Sequence, residues 1–140
     1  MATRLLTILG LLIAASGAKA EAAETIDYLK PGNATWSLFK CAALSGAIDQ
    51  QEKDRLFKAG YDNGMLFLYG WKSGHVSDVT SLPFQFQVRL NKAMRPDFVM
   101  GMVWEAAVNE AFLSNSSAFG SAEWKAKAKA LFDQENCGLL

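Results

Sequence analysis

The sequence predicts an all-helical fold, a small bundle of about five helices clasped by one disulfide. Three observations lead there. Apolar residues recur at three- and four-residue spacing in several separate stretches, the period of a helix with one buried face. Helix-start residues stand ahead of those stretches. The chain also holds two cysteines, Cys41 and Cys137, near the two ends of the domain.

The elements follow in order. Pro31-Gly32-Asn33 reads as a turn closing a polar lead-in. Thr35 then caps a first helix, Trp36 to about Asp49, with Trp36, Phe39, Ala43 and Ala47 on one side and Cys41 within it. Asp49-Gln-Gln-Glu52 has the form of a cap and acidic first turn for a second helix, reaching about Gly70. Leu56, Phe57, Tyr61, Met65 and Leu68 form its apolar stripe. Gly60 and Gly64 lie one turn apart on it. Each costs about 1 kcal/mol against alanine, and close packing of another helix is the expected compensation.

Trp71 to Ser81 reads as a loop. In residues 83–91, Phe84, Phe86, Val88 and Leu90 alternate with polar residues at strand period. Ser81 and Pro83 are helix-start signals, however, and a solitary strand finds no partner here; helix is the reading adopted. A further helix is expected from Arg95-Pro96-Asp97 to about Leu113, with Phe98, Val99, Met102, Val103, Ala106, Ala107 and Phe112/Leu113 as its apolar stripe. Ser114 to Gly120 is a polar loop. Ser121 caps a last helix, Ala122 to about Gln134, with Trp124, Ala128, Leu131 and Phe132 inward and Lys125, Lys127 and Lys129 in solvent.

The N-terminus places the chain in the export route. Arg4, an apolar run from Leu5 to Ala15 and the small-residue site Ala18-Lys19-Ala20 match a cleavable signal peptide over residues 1–20. Residues 21–140 then form a single domain, periplasmic if the host is bacterial and secreted otherwise. Without Arg4 and Lys19 the 14 basic residues become 12 against 14 acidic ones, a net charge of −2. That balance disfavours nucleic acid as a partner, since phosphate neutralisation supplies much of such affinity. After the leader no apolar run approaches the length needed to span a bilayer, about 20 residues, so stable membrane insertion of the mature chain is not expected. In an oxidising compartment Cys41 and Cys137 are expected to pair within the chain.

The sequence assigns no catalytic, cofactor-binding or metal-ligating residue. The one histidine, His75, has no ligand or base partner at useful spacing. Paired carboxylates of the kind used in glycoside hydrolysis are the enzyme alternative: Asp54 with Asp62, Asp97 with Glu105, or the less favourable Glu105 with Glu110. Aromatics suggest binding instead, because Trp and Tyr are enriched at interface hot spots. Tyr61, Trp71 and Trp104 are the candidates, the last lying off the main stripe of its helix. Asn33-Ala-Thr35 and Asn115-Ser-Ser117 fit the glycosylation sequon.

Gly60-Tyr61-x-x-Gly64, on a helix after one that carries a cysteine, resembles a segment of the periplasmic amidase-immunity proteins of bacterial type VI secretion. The likeness spans about a third of the mature chain. It departs where that family often has a cysteine just before the Gly-Tyr pair; here Lys58-Ala59 stand. The resemblance implies a small exported helical bundle that neutralises a cell-wall hydrolase by occupying its cleft. The expected function is thus non-enzymatic binding of a protein partner, as an inhibitor or immunity protein. The alternatives are a carboxylate-based envelope enzyme and a structural subunit of an envelope complex.

Overall fold

A computed structural model describes residues 26–113, 115 and 117–140. The expected signal peptide, residues 1–20, lies outside them. The described residues form five α-helices and no strand: α1 (Leu29–Ser45), α2 (Gln50–Lys72), α3 (Phe84–Gln87), α4 (Pro96–Leu113) and α5 (Ala122–Gln134), followed by a 3₁₀ turn over Cys137–Leu139. The central element is α1, packed along α2 and flanked by α4 and α5.

The first helix begins a full turn and a half before the expected Thr35 cap. Pro31 occupies its third position, where the backbone N–H has no intrahelical acceptor in any case, so the proline costs nothing. Gly32 is buried against α2 and the following loop: a Cβ there would lie 2.8 Å from Phe67 Cδ2 and 2.9 Å from Leu82 Cδ2. The Pro-Gly-Asn segment is therefore helix, held by its neighbours. Thr35 is fully buried, and its hydroxyl donates to the Pro31 carbonyl at 2.9 Å. The helix also stops early, at Ser45, so that the chain can extend at Asp49 (φ −148°, ψ 115°). There Asp49 Oδ1 accepts from the N–H groups of Gln51 at 2.8 Å and Glu52 at 3.4 Å, as the sequence predicts.

The three glycines of α2 face the rest of the bundle. A Cβ on Gly60 would sit 2.6 Å from Phe39 Cδ1, and one on Gly64 would meet Met100 and, at 3.1 Å, Thr35 Cγ2. Gly70 lies under the Tyr28 ring. The long helix thus approaches α1 along a side-chain-free edge.

Residues 83–91 are helical, but only for one turn. Phe86 is fully buried and Leu90 half-buried, while Phe84 and Val88, the other pair at four-residue spacing, face outward. The expected stripe of α4 needs a larger correction. Val99, Met100, Val103, Ala106, Ala107 and Ala111 are buried, whereas Phe98 and Leu113 are exposed and Met102 is half-exposed. This helix is apolar on nearly every side, so its periodicity does not select a face.

Ser121 caps α5 by accepting from the Trp124 N–H at 3.0 Å, with Trp124 and Ala128 buried, Leu131 and Phe132 half-buried and the three lysines exposed. Asn136 then adopts the left-handed conformation (φ 55°), one that asparagine tolerates. This turns Cys137 inward to form the disulfide with Cys41 of α1. The two Cα atoms are 5.4 Å apart, and both residues are buried beside Leu38, Leu44, Leu56 and Ala111. Fully burying Phe39, Phe67 and Phe86 in the other half of the core contributes roughly 1.5–3 kcal/mol each.

Candidate functional site

The aromatic residues picked out by sequence do not form one surface. Tyr61 and Trp104 both approach Phe57, at ring separations of 6.3 and 5.0 Å, and Trp104 also meets Phe39 edge-on at 5.3 Å. They are half-buried members of an aromatic cluster between α1, α2 and α4. Trp71 stands ten residues beyond Tyr61, about 15 Å along the helix, with the Lys92 ammonium 5.4 Å over its ring.

Of the carboxylate pairs, only Asp97 and Glu105 line a common concavity. Asp54 and Asp62 are eight residues apart on α2, about 12 Å by helical rise. They accept hydrogen bonds from Gln50 and Lys58 respectively. Asp97 and Glu105 have the same spacing along the axis of α4 and stand at the two ends of that concavity. Glu110 turns away to Lys40 (3.2 Å), which also holds Glu135 (3.3 Å) and so ties α1 to both α4 and the end of α5. Burial pulls the Lys40 ammonium down, but hydrogen bonds and charge from Glu110 and Glu135 outweigh it and leave its pKa raised. His75 is an exposed loop residue stacked on Tyr28. Of the two sequons, Asn33 is exposed on α1, whereas Asn115 is buried and its amide donates to the Trp124 carbonyl at 2.9 Å.

A different surface stands out, the outer side of α4. Asp97, Phe98, Gly101, Met102 and Glu105 surround a shallow concavity of about 430 Å³. Phe98 is 58% exposed, a large apolar side chain left in water. At Gly101 an added Cβ would meet nothing within 4 Å, unlike Gly32, Gly60, Gly64 and Gly70 inside α1 and α2. Asp97 is paired with Arg95 at 2.8 Å, and those hydrogen bonds hold its carboxyl below the ordinary range. Glu105 Oε1 accepts from Asn109 at 3.0 Å. Both are exposed, solvent-screened interactions, so an incoming cation can replace either.

Comparison with protein-family models, with curated proteins and with solved structures gives no match.

Phe98 and Met102, expected in the core from their apolar spacing, lie instead on this outer surface. The available signal was angular. At 100° per residue, Asp97, Phe98, Gly101 and Glu105 share an arc opposite Val99, Val103 and Ala106. A glycine and a phenylalanine among acids on that arc mark an outward face with apolar content.

Proposed function

We propose that the domain acts by binding a protein through the outer side of α4. The partner seats an apolar side chain on Gly101 beside Phe98 and presents basic residues to Asp97 and Glu105. The observation that carries this reading is the contrast among helical glycines. Gly32, Gly60, Gly64 and Gly70 each admit a neighbouring side chain of the same fold, while Gly101 is open. A helix-interior glycine costs about 1 kcal/mol, and a partner approaching the bare backbone is what offsets it here. The exposed Phe98 is an aromatic anchor of the type that concentrates binding energy.

The acids select the partner's chemistry. Asp97 and Glu105 lie four residues on either side of Gly101. An antiparallel pairing of two copies about Gly101 would set acid against acid, which disfavours a homodimer. A basic partner is complementary at both positions. Within this reading the chain works after export, in the periplasm of a bacterial host or outside the cell otherwise. The resemblance to amidase-immunity proteins makes a cell-wall hydrolase the first partner class to test.

Charge reversal tests the proposal. The variant carrying Asp97→Lys and Glu105→Lys is compared with the wild-type mature protein for retention of partners from envelope extract. The expected result is loss of a partner that the wild type holds, with hydrogen-exchange protection over residues 97–105 in the wild-type complex. Retention unchanged by the double reversal, or protection elsewhere on the surface, overturns it.

A further inference from the structure

Beside the C-terminal half of α4 lies a second concavity, about 250 Å³, between the end of α1, the start of α2 and the segment leading into α5. We propose that it binds a small organic anion with a flat apolar body, its rings packed against Trp104, Phe112 and Phe119 and its anionic head on Lys53. The inference does not depend on the reading of the Gly101 face.

The walls come from local sequence. Trp104, Val108 and Phe112 recur every four residues along α4 and line one side of the cleft. Opposite them, Phe119 lies over Trp124 at a ring separation of 4.7 Å, and Phe112 is 5.4 Å from the same indole. Phe119 is nonetheless 81% exposed. Trp124 is buried, so the cleft has a fixed aromatic floor and an exposed aromatic rim. The volume falls just below the 300–1,000 Å³ of sites for drug-sized ligands, which suits one or two fused rings.

Charge narrows the class. Lys53 is the only charged residue among those lining the cleft. Its ammonium enters no ion pair and donates no hydrogen bond to the described residues. The side chain is half-buried, its Cδ 3.2 Å from where a Gly46 Cβ would stand, so the stem lies along the bare backbone at Gly46. A cation at the rim of an aromatic cleft with no carboxylate in its lining attracts an anion and repels a cation. A carboxylate or sulfonate gives a charge-assisted hydrogen bond, while the ring system covers the exposed aromatic surface.

The test uses 2-naphthoate and its cationic counterpart 2-naphthylmethylammonium, titrated into the mature, disulfide-bonded protein and followed by NMR at the indole N–H groups of Trp104 and Trp124. Saturable shifts at both indoles are expected with naphthoate, with at least tenfold weaker binding of the cation. Lys53→Met, which keeps the apolar stem, should weaken naphthoate about fivefold or more and leave the cation unaffected or improved. Phe119→Ser, at an exposed position, should weaken naphthoate without lowering the melting temperature. Absence of saturable binding at millimolar naphthoate, equal affinity for the two probes, or indifference to Lys53→Met overturns the proposal.

Discussion

Breaking the Cys41–Cys137 bond is the perturbation whose size the structure fixes best. The bond joins residues 96 apart in sequence. The chain-entropy estimate for a loop of that length is about 4.7 kcal/mol at 25 °C, an upper figure because any native strain subtracts. What remains after reduction is partial. Cys137 is still buried, Leu131 and Phe132 still pack on α1's half of the core, and Lys40 still reaches Glu135. A net loss of roughly 2–5 kcal/mol is therefore expected, a large share of the 5–15 kcal/mol typical of a domain. Urea unfolding of residues 21–140, oxidised and reduced, measures it, and the variant Cys41→Ala/Cys137→Ala controls for reductant. Hydrogen exchange should show residues after Phe132 losing protection before α1 and α2. A change below about 1 kcal/mol, or loss of protection in α1 ahead of the tail, would show that the bond does not anchor the C-terminal segment as described.

Glycine substitutions inside the bundle and on its surface should act with opposite signs in thermal melts. Gly60→Ala places a methyl 2.6 Å from the fully buried Phe39 ring and should destabilise by about 1–3 kcal/mol, and Gly64→Leu should do so too. Gly101→Ala meets nothing and should stabilise by about 0.8–1 kcal/mol. Lys40 has its pKa raised above 10.5 in the folded state, so its contribution is complete below that value and fades as pH rises through the folded pKa. The stability gap between wild type and Lys40→Met should accordingly be constant from pH 7 to about 9 and shrink above pH 10.5; a gap that widens there would contradict the assignment. Asp49→Ala removes the acceptor for two N–H groups at the start of α2 and should cost about 1 kcal/mol by urea titration.

Features governed by neighbours in sequence were readable from it. The Asp49 and Ser121 caps with the helices they open, and the pairing of Cys41 with Cys137 in an all-helical bundle, rest on local chemistry or on a count of two. Features governed by distant neighbours were not. Pro31-Gly32-Asn33 has the composition of a turn, and it is helix because Phe67 and Leu82 close over Gly32 from far along the chain. The direction of Phe98 is carried only by the arc it shares with Asp97, Gly101 and Glu105, a weak signal on a helix with apolar residues on its other sides too, and packing on α1 completes the choice of the inward side. Tyr61, Trp71 and Trp104 were conspicuous by residue type. Two of them are nevertheless half-buried around Phe57, and the surface carrying the candidate site is built on a glycine, which composition does not flag.

The proposed partner site requires that the bare backbone at Gly101 admit a partner side chain. Gly101→Leu isolates that role, since the folded chain offers open space for the new side chain and leucine is the better helix former. Partner retention from envelope extract, measured for wild type and Gly101→Leu alongside their melting temperatures, is the most direct test. The expected result is a melting temperature equal to or above that of the wild type together with at least a tenfold loss of retained partner. A variant that is as stable and retains the partner as well as the wild type would contradict it.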